Sequence, residues 1–302
     1  MQPSSSTSKA YWAVLAANVL FGVNFSIVKL ISPQYILPFG LNFIRVAVTV
    51  LLFWILFLLK PGRGGIDPKD IPRFLLCAVT GVAINQLLFI KGLTLTTPVH
   101  AALLILITPV FILLIAVALH NEKMSWMKTA GLLLGIGGCS LLISSKENSV
   151  IGSDVLLGDL LVLLNGISYS FYFILVKPLM QKYTALQVIR WVFTFGLVLI
   201  VPFCWGQFMS TEWHQFGSVE FLSLAFVVLG ATFFAYLFTV YGLQHLSASA
   251  AGAFIYLQPV FSTVFSFLVF GEQMSLSKIL AALLIFSGVY LVNKKKENQI
   301  RT

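Results

Sequence analysis

The sequence predicts an all-α integral membrane protein of ten transmembrane helices, arranged as two inverted five-helix repeats. Three observations predict it: a composition too apolar for a water-soluble domain, ten separate apolar segments, and an internal repeat at an offset of about 150 residues. Of the 302 residues, 59% are hydrophobic and 10% are charged, whereas charged residues make up about a quarter of an ordinary soluble domain. Lipid therefore replaces water as the solvent. The net charge of +9 could suggest nucleic acid. The Lys and Arg, however, are scattered between apolar segments and form no basic, aromatic-laced face, so nucleic acid is not expected as a partner.

An α-helix needs about 20 mostly apolar residues to cross the hydrocarbon core. In the first half the segments that qualify are Tyr11 to Ile31, Pro38 to Leu59, Phe74 to Gly92, Thr97 to Leu119 and Met127 to Ser144. The second half supplies Leu157 to Met180, Leu186 to Val201, Ser223 to Leu243, Ser247 to Phe270 and Ser277 to Val292. The polar start, Met1 to Lys9, is short and lacks a cleavage signature, so the first helix is expected to be retained. Lys and Arg in short loops stay cytoplasmic. Cytoplasmic termini put Lys9, Lys60, Arg63, Lys69, Arg73, Lys123, Lys128, Lys182, Lys294, Lys295, Lys296 and Arg301 inside. Outside remain Lys146, Lys278 and a long loop, Pro202 to Leu222, with Glu212 and Glu220 but no Lys or Arg. The expected setting is a bacterial cytoplasmic membrane with both termini inside.

Shifting the sequence by 150 pairs Gly92 and Leu93 with Gly242 and Leu243, and Pro109, Val110 and Phe111 with Pro259, Val260 and Phe261. It also pairs Glu122 with Glu272, Met124 and Ser125 with Met274 and Ser275, Lys128 with Lys278, and Gly138 with Gly288. Near the start of each half the offset becomes 148, pairing Val28 and Lys29 with Val176 and Lys177, and a small gap then matches Arg45 to Arg190. The repeats are expected over residues 10–148 and 149–296. Five helices is an odd number, so the copies enter the membrane in opposite directions, as secondary transporters do.

Several patterns coincide: Phe21, Gly22, Val23, Asn24 and Phe25 with Lys29; Arg45; Gly92 and Leu93; Thr108, Pro109, Val110 and Phe111; and Asn121 and Glu122. The second half repeats the later ones as Gln258, Pro259, Val260 and Phe261, then Gly271 and Glu272. Together they resemble the EamA-type repeat of the drug/metabolite transporter superfamily, with Phe21 standing where that family often has Trp. The resemblance implies a central substrate cavity lined by helices one, three, four, six, eight and nine, with helices five and ten peripheral. It implies export or exchange of metabolites, whose identity it leaves open among amino acids, nucleotide sugars, vitamins and drugs. Small multidrug-resistance relatives carry a glutamate in helix one; here that helix offers Asn18.

Polar side chains at membrane depth face a cavity or another helix. In helix six, Asn165, Ser168, Tyr169 and Tyr172 fall on one stripe at i, i+3, i+4 and i+7, which favours a cavity wall over interhelical glue. Helix eight repeats the spacing in Thr232, Tyr236 and Thr239, and helix one lines up Asn18, Gly22, Ser26 and Lys29, with Asn24 pointing elsewhere. Asn85 and Gln86 in helix three, Thr108 in helix four, and Tyr256 and Gln258 in helix nine complete the candidates. Pro109 and Pro259 are expected to kink their helices at related points, as passive packing or as a gate.

Every Asp and Glu is expected in a loop or at a helix end, leaving no obvious buried proton carrier. Lys29, Arg45, Lys91 and Arg190 are expected to snorkel to the interface, with Lys29 or Lys91 as the sharper candidates for attracting an anionic cargo. His100 reads as a plain hydrogen-bonding residue, and Glu122 and Glu272 as helix-dipole partners. Gly131, Gly135 and Gly138 form a small-residue seam, read as internal packing before a dimer surface. Cys77, Cys139 and Cys204 have no metal-ligand spacing and read as buried thiols. No nucleotide-binding loop, metal cluster or catalytic constellation is visible, so no cofactor, metal or enzymatic activity is expected. The sequence thus points to alternating access by a secondary transporter for a small organic metabolite, best an amino acid or related zwitterion or anion. A non-transporting scaffold or receptor is the rival from another class. Its expected partners are the lipid bilayer and the solute, with a monomer as the default.

Overall fold

In hydrocarbon every backbone N–H and C=O must be satisfied within the protein, so apolar segments of this length fold as helices. The computed structural model describes residues 5–59, 64–108, 110, 111, 114, 115, 126–144, 154–246 and 253–293. Over these the chain is helical and contains no strand. The described helices group into ten: α1 (Ser5–Ile31), α2 (Pro38–Leu59), α3 (Pro68–Leu95), α4 (beginning Pro98–Ile105), α5 (Trp126–Ser144), α6 (Val155–Lys182), α7 (Ala185–Met209), α8 (Ser218–Ala225, Phe226–Phe234 and Ala235–His245), α9 (Ala253–Leu257 and Gln258–Phe270) and α10 (Leu276–Asn293). Six of them are long and apolar enough to cross a membrane unaided. Leu58, Leu59, Leu222 and Leu268 are exposed, as lipid-facing residues must be.

Two expectations about helix ends need correction. The segment after Val201, expected as loop, continues as helix through Pro202 to Met209. One proline removes one ladder bond, but Phe203 and Trp205 still face lipid, where an unwound backbone would go unsatisfied. Helix nine is not one continuous helix kinked by Pro259: a 3-10 segment, Ala253–Leu257, precedes the α-helix Gln258–Phe270. Pro259 sits in the first turn of that helix, where its missing N–H would have had no partner. Pro109 and Glu122 lie outside the described residues, but the helix before Pro109 loosens at Leu106 and Ile107, which donate to Leu103 and Leu104 only three residues back.

The sequence patterns gave no sign of two π-helical turns, Val79–Ala83 in α3 and Phe226–Phe234 in α8. They occupy repeat-related positions, since residues 79–83 shifted by 150 fall inside the second. A π turn widens the helix and releases carbonyls for other donors. Ser168 of α6 uses one, donating to the Thr80 carbonyl at 2.7 Å, and Thr232 uses another, donating five residues back to Val227 at 2.7 Å.

The repeats exchange their first helices. The α1 helix packs on α8 and α9, while α6 packs on α3 and α4; α2 pairs with α7, and α5 with α10. Close approach requires glycine at several crossings. A Cβ on Gly22 would lie 2.7 Å from Phe261 Cβ and 2.9 Å from the Gln258 carbonyl, so α1 rides directly on α9. At the α5–α10 crossing a Cβ on Gly138 would sit 2.9 Å from the Ala281 carbonyl, and one on Gly288 would sit 2.7 Å from the Gly135 amide. The glycine seam on α5 therefore packs inside the chain.

Candidate functional site

Calling the side where α1 begins the near face and the side where it ends the far face, the helices line a partly open cavity of about 130 Å³ between them. Its wall draws on both repeats. Asn18, Phe21, Asn24 and Phe25 come from α1, Arg45 from α2, Asn85, Gln86 and Phe89 from α3, and Ile105 and Thr108 from α4. The second repeat contributes Asn165, Tyr169 and Phe173 from α6, Tyr236 and Thr239 from α8, and Ile255 and Gln258 from α9.

The amides in this wall are fixed by their neighbours. Asn85 and Asn165 exchange bonds, each side chain donating to the other's backbone carbonyl, at 3.3 and 2.8 Å, which fastens α3 to α6. Gln258 donates to Asn18 Oδ1 at 2.7 Å while Asn18 donates to the Val14 carbonyl at 2.8 Å, which fastens α9 to α1. Gln86 reaches the Tyr236 hydroxyl at 3.5 Å, and Tyr236 is wedged edge-on between Phe21 and Phe193. Each such bond inside a bundle contributes about 0.6 to 2 kcal/mol.

The helix-six stripe divides. Asn165 and Tyr169 reach the cavity, whereas Ser168 bonds α3 and Tyr172 packs over Gly81 at the π turn. Positions 165 and 168 differ by about 60° around an ideal helix, enough to place one on each side of the cavity's edge. Gly22 serves the α1–α9 crossing and is not part of the wall. The Tyr256 side chain lies outside the described ones.

Lys29 is not in the wall either. Its ammonium donates to the carbonyls of Leu93, Thr94 and Thr96 at 3.4, 2.7 and 2.8 Å, gripping the α3–α4 corner at the far face. Beside it Phe25 meets Phe89 edge-on at 5.5 Å, and Ser262 donates to the Pro98 carbonyl at 3.1 Å. The α1–α9 pair thus meets the α3–α4 corner on that side.

The chain's relatives agree with this architecture. A model of the EamA-like transporter family matches it twice, over residues 8–144 and 156–294. The chain belongs to that family. A protein of Streptantibioticus cattleyicolor described as a "probable terminal-alkyne amino-acid exporter" is 26% identical over 95% of this chain and 94% of its own length. An "uncharacterized transporter" of Archaeoglobus fulgidus is 24% identical over 94% of this chain and 99% of its own, and Bacillus subtilis YetK, also an "uncharacterized transporter", is 23% identical over 95% and 88%. A solved crystal structure 18% identical in sequence superposes with a TM-score of 0.62 over 97% of each chain, a likeness of fold.

Four further residues of this EamA-like chain depart from the sequence reading. Arg45 does not snorkel: it is 4% exposed, lies in the cavity wall and donates through Nε to Thr232 Oγ1 at 3.1 Å. Its place seven residues into an apolar helix with no acidic neighbour in sequence was the available signal. Its repeat mate Arg190 is buried as well, donating to the Gly64 carbonyl at 2.9 Å with Phe57 and Trp54 stacked on its guanidinium. Asn24, expected to point elsewhere, lines the cavity. Asp159, expected at a helix end, is 1% exposed in the second turn of α6. It accepts a short bond from the Thr96 hydroxyl and lies 3.2 Å from His100 Nδ1, so the buried histidine does have a carboxylate partner. Glu272 pairs with Lys278 at 3.0 Å and accepts from Ser266. All three cysteines are free and buried.

At the near face, Lys182 bridges Asp67 and Asp70 at 3.0 and 2.6 Å. The Lys69 amide and the Lys182 ammonium hold the exposed Asp67 carboxyl below the usual carboxylate range. This strap between α6 and the α2–α3 loop therefore persists above that range and is lost as pH falls through the lowered value.

Proposed function

We propose that the chain is a secondary transporter that moves a small zwitterionic or anionic organic solute, best an amino acid, by export or exchange. The single observation that carries this reading is the cavity between the helices, whose amides, phenols and one guanidinium come from both inverted repeats. Such a site lies where two repeats can rock about it and open it to either face in turn. The amino-acid exporter among the relatives makes the same solute class the first to test. The distribution of Lys and Arg supports cytoplasmic termini, so that the near face is inside, and the bacterial relatives make a bacterial cytoplasmic membrane the first setting to test.

The test is counterflow. The purified chain, reconstituted into liposomes preloaded with an unlabelled amino acid, should accumulate the labelled one, saturably and faster than unloaded liposomes do. Absence of counterflow for every solute tried would favour a scaffold or receptor. Orientation is checked separately: a reporter fused after Lys296 should read cytoplasmic and one near Trp213 external, and the reverse pattern would overturn it.

A further inference from the structure

Arg45 is the one charged side chain in the described cavity wall, and no Asp or Glu joins it there. Its guanidinium stays protonated at any physiological pH. A buried cation without a counter-charge is unfavourable unless something pairs with it. Only part of the fork is occupied: Nε donates to Thr232, while Nη1 has no protein partner among the described residues. Thr232 is itself held by the π turn of α8, bonded to Val227, so the guanidinium is anchored through Nε while Nη1 is buried and unpartnered. Two acceptors in the same wall, Asn24 Oδ1 and Gln86 Oε1, are also unpaired.

We propose that Arg45 is the anchor for a carboxylate on the transported solute. Charge selects this group: one guanidinium neutralises a monoanion, whereas a phosphate dianion would leave a negative charge buried among Phe21, Tyr169 and Tyr236. The unpartnered Nη1 carries N–H donors that suit a planar oxyanion, the geometry guanidinium and carboxylate share. Asn24 Oδ1 and Gln86 Oε1 are acceptors, so they suit a donor on the same solute, and the ammonium of an α-amino acid supplies one. The carboxylate is then the required feature and the amine a secondary one.

This inference rests on the cavity being the transport site. Thermal stabilisation of the full chain, purified in detergent, is measured with the common L-α-amino acids, their carboxamides and the matching des-amino acids. At least one acid should stabilise the native chain, and its carboxamide should bind about tenfold to a hundredfold more weakly, as loss of a charged hydrogen bond implies. The des-amino acid should bind better than the carboxamide. Arg45→Gln should erase the preference for acid over amide, and Arg45→Lys should keep part of it. The proposal is overturned if no acid stabilises the chain, if amide and acid bind alike, or if Arg45→Gln retains the preference. The acid-to-amide comparison stands on the native chain even where Arg45→Gln fails to fold. Thr232→Val, which frees the guanidinium from its hydroxyl, then gives the second variant and should weaken the acid more than the amide. Carboxylate-dependent binding without counterflow would sink the transport reading and leave the anchor. Undiminished flux of a solute lacking a carboxylate would sink the anchor and leave transport.

Discussion

At the residue scale, two tyrosines one turn apart do different work, because the cavity edge runs between the faces they occupy. Tyr169→Ala removes a wall side chain and should cut counterflow by about tenfold while the protein still folds, the change expected from one lost polar or stacking contact. Tyr172→Ala removes packing over the π turn and should lower stability by about 2 kcal/mol or more, read as thermal unfolding in detergent. Equal effects on both quantities in both variants would deny the division. Asp159→Ala strips the Thr96 hydroxyl and His100 of their shared acceptor and should cost about 1 to 3 kcal/mol, whereas Asp159→Asn retains an oxygen and should cost less. Asn18, Asn85, Gln86, Thr108, Asn165, Tyr169, Tyr236 and Gln258 line the cavity, and the sequence marks them as candidates because uncharged polar groups in long apolar runs stand out. Sequence spacing misjudged Arg45 and Asp159 for a physical reason. Arg45 lies too deep in α2 for its charge to be read as an end residue, whereas Asp159 lies near a helix end, where a charge can reach water or a buried partner and the neighbouring helix decides which.

At the element scale, the helix count and the repeat were legible because hydrophobic length and self-similarity survive any detail of packing. The π turns were not, since a single extra residue in a turn leaves an apolar stretch apolar. Helix crossings can be tested one residue at a time on α5, where Gly138 and Gly137 are adjacent but unlike. Gly138→Val pushes a side chain into the Ala281 carbonyl and Ile285 of α10 and should sharply reduce the yield of folded protein. Gly137→Val meets nothing within 4 Å and should fold normally. Comparable yields, measured by size exclusion in detergent, would mean that α5 and α10 can separate freely.

At the scale of the whole molecule, the two faces differ in what their lysines do. Lys29 grips the α3–α4 corner, while its repeat mate Lys177 is exposed. Yet the end of α8 is closed in the same way as the end of α3 that Lys29 grips: Leu246 donates to the Gly242 carbonyl at 2.8 Å, as Thr96 does to Gly92 at 3.0 Å. If the repeats exchange conformations during transport, Lys177 takes the corresponding bonds when the far face opens. Lys29→Ala should then speed the modification of a cysteine at Ile105 by an impermeant thiol reagent added at the far face, at fixed pH, by about tenfold. Lys177→Ala should slow it, and identical rates in both variants would contradict the exchange. The crossing of α1 into the α8–α9 pair, and of α6 into the α3–α4 pair, has a further consequence for how such a chain can be divided. A cut between Ser144 and Val155 leaves two fragments, each lacking the helix that packs on its own third and fourth helices and each holding the one the other lacks. Expressed singly, neither should bind the solute; expressed together, they should complement each other, because each fragment's first helix is the missing template for its sibling.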